Sequence, residues 1–206
     1  MSILSTQKVE NHPFEPVLPQ NATIMMMGSF PPTQDKWAMP FHYPNFYNDM
    51  WRVYGQVFFQ NQDHFRVGLE KRFDYEAIID FLHYKGIASC PTVRQAIREE
   101  GNASDKHLTV VSPVDLDKVL QQVPKVTTIF TTGGKATEVL LSLLNEKNQR
   151  KMPKTNQSIE YIFEGKHLNK TFDLVRLPST SRAYPLSFAK KVAAYRAFFK
   201  SVNKVS

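Results

Sequence analysis

The sequence predicts an α/β/α sandwich, a three-layer fold with a central, mostly parallel four-stranded sheet. Three observations carry this expectation. Strand-like stretches begin near residues 22, 86, 126 and 171 with helical segments between them, and such a β/α rhythm builds a parallel sheet with helices on both faces. The first stretch, ATIMMM at 22 to 27, does not alternate, which suits a strand covered on both sides. The first and last stretches also break abruptly, at GSFPP (28 to 32) and PSTS (178 to 181). In open α/β sheets the carboxyl ends of strands are where ligand crevices open, although a turn that merely reverses the chain uses the same residue types.

The elements follow in order. Residues 1 to 20 form an N-terminal extension without the apolar run of a signal peptide. KWAMPFHYPNFYNDMWRVYGQVF at 36 to 58 is dense in aromatics and reads as helical from about Asn45, with Met50, Val53, Tyr54 and Val57 on one buried stripe. A second helix is expected over Tyr75 to His83, then a strand at GIASC, 86 to 90, and a short extended piece at VVSP, 110 to 113. VDLDKVLQQVP at 114 to 124 is a capped helix, VTTIFTT at 126 to 132 a β-branched strand, and GGKATEVLLSLLNEK at 133 to 147 a helix opened by two glycines. Residues 145 to 157 are the most linker-like. TFDLVRLPSTS at 171 to 181 is the last strand and its break. The final helix, about Leu186 to Asn203, places Phe188, Val192, Tyr195, Phe199 and Val202 on one stripe and Lys190, Lys191, Lys200 and Lys204 largely off it.

Composition narrows the function. A chain of 206 residues, 42% hydrophobic, is expected to form a single domain over 1 to 206. The lone Cys90 excludes a disulfide framework, and six scattered histidines lack ligand spacing, so neither metal nor cofactor is expected. No run of 18 apolar residues exists, so no membrane partner is expected, and the reading is a soluble cytoplasmic monomer. The net charge is +7 and lies entirely in the C-terminal part: residues 151 to 206 carry 11 Lys or Arg against 3 Asp or Glu, leaving the first 150 at −1. A one-sided basic excess is what a phosphate backbone attracts, and a solvated lysine-rich helix is the plainer reading.

Two apparent motifs fail. TTGGKATE resembles a phosphate loop but lacks the earlier glycine and has Ala136 where a magnesium-binding hydroxyl belongs, so Gly133-Gly134 is read as a tight strand-to-helix turn. Ser179 and Ser181 are not set in a Gly-x-Ser-x-Gly elbow.

GSFPP at 28 to 32, YPNFYNDMWRVYG at 43 to 55, the run from GIASC through VTTIFTTGGKA, and LPSTSRAY at 177 to 184 together resemble the uracil-DNA glycosylase superfamily, most closely its hypoxanthine-DNA glycosylase-like branch. The resemblance spans about residues 20 to 200. It implies a sheet that binds DNA across the carboxyl ends of its strands and an enzyme that cuts the bond between a damaged base and its sugar. A base inside a duplex must be everted into a pocket and covered by an aromatic ring. Gly28, Ser29, Phe30, Pro31 and Pro32 would form the base pocket with Thr131 and Thr132. Tyr43, five residues before Asn48, matches the stacking aromatic. Phe30, Phe41, Phe46 and Tyr47 are other rings nearby, of which Phe46 and at least one more are expected in the core.

Phe30 stands where typical members have Asp or Asn, and Leu177 where they have His or Asn. The hypoxanthine-like branch shares both features, and there the Asn of an Asn-x-x-Trp sequence takes over water positioning. NDMW supplies Asn48 and Trp51, which makes Asn48 the catalytic candidate. GIASCPT lacks the aromatic and acid that the family often has there, and Thr131-Thr132 lacks its Asn before the glycine. Ser179, Thr180 and Ser181 would grip phosphates, Arg182 would wedge into the duplex, and Lys190 and Lys191 would extend a basic track. The implied function is monofunctional hydrolysis of deaminated bases, hypoxanthine or uracil, in DNA. A noncatalytic nucleic-acid binder of the same fold and a nucleoside- or nucleotide-processing enzyme remain as alternatives.

Overall fold

The computed structural model describes residues 8–99, 107–144 and 152–206. Residues 1–7 of the expected extension and 145–151 of the expected helix end and linker lie outside the described residues. Eight strands are described: β1 (Val9–Asn11), β2 (Ile24–Gly28), β3 (Ile87–Pro91), β4 (Val93–Arg98), β5 (Leu108–Pro113), β6 (Thr128–Thr132), β7 (Gln157–Glu164) and β8 (Asn169–Leu177). The helices are α1 (Met50–Phe59), α2 (Tyr75–Lys85), α3 (Leu116–Gln122), α4 (Gly134–Ser142) and α5 (Phe188–Ser201).

The main sheet has the order β3-β2-β6-β8-β7. Its first four strands are mutually parallel, and they are the four expected from the sequence. The fifth, β7, runs antiparallel to β8 from Gln157 opposite Arg176 to Glu164 opposite Asn169. The sheet is therefore five-stranded and mixed, which corrects the four-strand expectation. A second, antiparallel sheet of order β1-β4-β5 was also not foreseen, apart from the extended piece at 110 to 113 that belongs to β5.

Successive strand residues point to opposite faces, and β2 shows what that does here. Met26 faces one core with Trp51, Tyr54, Phe130 and Phe199. Met25 and Met27 face the other, with Leu120, Ile129, Leu140 and Leu174. Helices α1, α2 and α5 cover the first face, and α3 and α4 the second. Each methionine removed from water stabilises the fold by about 1.5–3 kcal/mol, which is why a non-alternating strand is stable only in this central position.

Capping fixes where the helices begin. Asp74, Asp115 and Ser187 accept hydrogen bonds from the backbone N–H groups of Ala77, Lys118 and Lys190 and so start α2, α3 and α5. The final helix accordingly starts at Phe188, two residues after the expected Leu186. Helix α1 starts at Met50 rather than near Asn45. Residues 45 to 49 instead form turns that carry Asn48 to the carboxyl end of the sheet.

Candidate active site

Two chain breaks define the site. Strand β2 ends at Gly28, where the Thr92 N–H and hydroxyl both donate to its carbonyl. Strand β8 ends at Leu177, and Tyr195 of α5 donates its hydroxyl to the Pro178 carbonyl at 3.1 Å. The loops that follow, with the turn preceding α1, border one cleft of about 570 Å³. Ser29, Phe30, Pro31 and Pro32 line it together with Ser179, Thr180, Ser181 and Arg182.

Tyr43 is set over the end of β2. Its backbone lies in the left-handed region at φ 54°, a conformation that costs a bulky residue about 1–2 kcal/mol. Two contacts hold it: the Trp51 indole N–H donates to the His42 carbonyl at 3.0 Å, and the Tyr43 hydroxyl lies 2.6 Å from that of Thr132. Gly28 makes room for the ring, because a Cβ there would fall 2.7 Å from the Tyr43 phenolic oxygen. The glycine in GSFPP is thus required by close approach of a side chain, and the strain in Tyr43 aims its ring at the cleft.

Asn48 lines the cleft and accepts the Met50 N–H through Oδ1 at 2.9 Å. That bond satisfies one of the free donors at the start of α1 and fixes the amide plane. The neighbouring Asp49 is buried. Its N–H donates to the Thr180 carbonyl at 2.9 Å, its Oδ2 receives Lys191 Nζ at 2.9 Å, and its Oδ1 is 3.4 Å from Arg182 Nε. Lys191 also donates to the Ser181 carbonyl at 2.8 Å. One carboxylate therefore ties the start of α1 to the loop after β8.

The expected site residues are not all in the cleft. Thr131 is fully buried, with its hydroxyl against that of Thr137 at 2.7 Å, so only Thr132 of that pair lines the site. Lys191 is 1% exposed and holds Asp49, so it corrects the expectation of a surface cation on a DNA track, whereas Lys190 is exposed. Thr180 lines the cleft but is 1% exposed. Ser179 and Ser181 accept the N–H groups of Ser181 and Ala183, which rigidifies the loop. Arg182 is half exposed, with its guanidinium 5.1 Å from the Tyr47 ring centre. Phe46 and Phe41 belong to the core as expected. Phe30 packs toward the small sheet, with the Arg98 guanidinium 5.2 Å over its ring.

Two lining residues that sequence reasoning missed are His12 and His42. His12 comes from the N-terminal extension, which Arg98 fastens through Glu10 at 3.0 Å and Arg94 through Glu15 at 2.7 Å. Burial pushes His12 down to about 4. Burial, reinforced by the neighbouring His12 and Arg94, pushes His42 to about 3, with the Glu15 backbone pulling weakly the other way. Both rings are neutral at physiological pH. Their scattered positions gave no spacing signal, although HPF and FHYP each set a histidine among aromatics.

Among the described residues no group of three or more His, Cys, Asp or Glu side chains could hold a metal ion, and no helix is long and apolar enough to cross a membrane.

No protein-family model matches the sequence, and no protein with a curated description does. Among solved structures, the chain is similar to the solution NMR structure of a "putative Uracil DNA glycosylase" from Methanosarcina acetivorans. The two share 22% identity and a TM-score of 0.60, over 92% of this chain and 98% of that one. At that identity the likeness establishes a shared fold.

Proposed function

We propose that the chain is a DNA glycosylase that hydrolyses the bond between a deaminated base, hypoxanthine or uracil, and its deoxyribose. The observation that carries this reading is the convergence of Asn48, Tyr43 and both strand-end loops on one cleft at the carboxyl ends of the parallel strands of the main sheet. The fold it shares with the Methanosarcina protein supports it.

The everted base would stack on Tyr43, whose ring is fixed by Thr132 and by the close approach at Gly28. As the bond to the base lengthens, positive charge develops on the sugar, and a water must attack from the opposite side. A neutral amide cannot deprotonate that water. Asn48, anchored through Met50, holds it against the oxocarbenium-like centre, so the contribution is positional. Lys191 is engaged by Asp49 and Ser181, and an ion-paired ammonium is no nucleophile, which favours hydrolysis over a Schiff-base lyase route. Ser179, Ser181, Arg182 and Lys190 would meet the flanking phosphates.

A second reading, noncatalytic nucleic-acid binding, is favoured by one feature: the carboxylate of Asp49, the buried neighbour of Asn48, is committed to Lys191 and Arg182, so it is not available as a general base. Base release from duplex and single-stranded oligonucleotides containing uracil, hypoxanthine or xanthine distinguishes the two. Release supports the glycosylase, and salt-dependent binding without release supports the binder.

A further inference from the structure

Tyr47 lines the cleft and is 49% exposed, whereas the adjacent Phe46 lies in the core. Its backbone is fixed from two sides: Asn45 Oδ1 accepts the Tyr47 N–H at 2.8 Å, and the buried Arg52 donates to the Phe46 carbonyl at 2.5 Å. Two cations flank the ring. The Arg182 guanidinium lies 5.1 Å from its centre and the Lys71 ammonium 5.9 Å. Lys71 is exposed and makes no hydrogen bond or ion pair among the described residues. A turn presents it, and Arg66 fixes that turn by donating to the carbonyls of Leu69 at 2.6 Å and Glu70 at 2.8 Å. The nearby acids are engaged, Glu70 with Arg72 at 2.5 Å and Asp49 with Lys191 at 2.9 Å.

We infer that Tyr47 and Lys71 form a second nucleic-acid subsite at the mouth of the cleft, where Tyr47 stacks on the base next to the everted one and Lys71 meets its phosphate. The inference rests on the reading of the cleft as a DNA site and deepens it. A rigid, exposed ring beside unpaired cations is what holds a strand of nucleotides, because every base has a π-face and every linkage a charge. Everting one base onto Tyr43 strips its neighbour of a stacking partner, and Tyr47 replaces that partner. Arg182 shares the ring in the free protein, held there by the ring and a 3.4 Å contact to Asp49. When it moves into a duplex it leaves the ring to the base.

The test is equilibrium binding, at several salt concentrations, of single-stranded oligonucleotides that carry one uracil or one hypoxanthine with the fluorescent base 2-aminopurine on its 5′ or its 3′ side. The unaltered protein should quench the 2-aminopurine on one side. Tyr47→Leu should lose the quench and about tenfold in affinity, whereas Tyr47→Phe should keep both. Lys71→Gln should keep the quench and lower the salt slope by about 0.7, the loss of one phosphate contact to a single strand. Arg182→Ala should also keep the quench, which separates a platform for a base from a mere perch for the arginine. No binding by the unaltered protein, a quench that survives in Tyr47→Leu, or the same loss in Arg182→Ala as in Tyr47→Leu overturns the inference. Base release is measured separately on the same oligonucleotides. A Tyr47-dependent quench without release sinks the glycosylase reading alone, and release with no dependence of binding or quench on Tyr47 sinks the subsite alone.

Discussion

The Lys191 ammonium lies 2.9 Å from Asp49 Oδ2 with both groups buried, so the last helix holds the residue that follows Asn48. Removing one member of a buried ion pair leaves the other charge without compensation, at a cost of about 3–5 kcal/mol. Lys191→Met should lower the urea midpoint by a corresponding amount, and Asp49→Asn in the same background should restore part of it. A change below about 0.5 kcal/mol, the range of an ordinary surface substitution, would show that the pair does not brace the site.

Gly28→Ala should disable the site while sparing the fold. The new Cβ would fall 2.7 Å from the Tyr43 oxygen, which displaces the ring and breaks its contact with Thr132. Base release is expected to fall on the order of 10²-fold, the scale of a 1 Å misplacement, with the thermal midpoint shifting by a few degrees at most. Full activity in this variant would remove Tyr43 from the stacking role.

Arg182 rests on Tyr47 and near Asp49 at the mouth of the cleft. A planar guanidinium can leave that perch and fill the gap left by an everted base. Arg182→Ala should slow excision from paired duplex more than from single-stranded substrate, where no gap exists. Equal losses on both would reduce it to a phosphate contact.

The buried histidines set a pH dependence. Their folded values, about 4 for His12 and about 3 for His42, lie below the ordinary 6.5. Below pH 6.5 the unfolded chain therefore binds more protons than the folded one, and stability falls with pH by about 1.4 kcal/mol per unit for each such group. Urea midpoints should drop between pH 7 and pH 4.5, and His42→Phe should flatten that slope. An unchanged slope in the variant would contradict burial of a neutral His42.

Much of this was legible because breaks and periods are local. Gly28 and the prolines after β2 and β8 stop strands by covalent geometry, and the four parallel strands stood out as short apolar or β-branched stretches between helical segments. What escaped depends on pairing. Strand β7 was hidden in a segment expected to begin as linker, although Ile159, Tyr161 and Phe163 alternate and the latter two are buried. Lys191 was read as a surface cation, yet it lies three residues after Phe188 and four before Tyr195, on the buried stripe. Lys204 and Arg196 likewise spend their charged groups on the backbone carbonyls of Lys85, Gly86 and Gln56, so the C-terminal excess overstated the basic surface. The histidine pair was invisible because His12 and His42 meet only once the N-terminal extension crosses to the cleft.

The most direct test of the central claim is single-turnover base release by the unaltered protein and by Asn48→Ala on one duplex containing hypoxanthine or uracil. The amide is assigned to water, so the variant should bind that duplex with nearly unchanged affinity and release base on the order of 10²-fold more slowly. Asn48→Asp, which keeps the contact to the Met50 N–H, separates any effect of the helix start. Near-full release by Asn48→Ala, or no release by the unaltered protein on either base, would contradict the account.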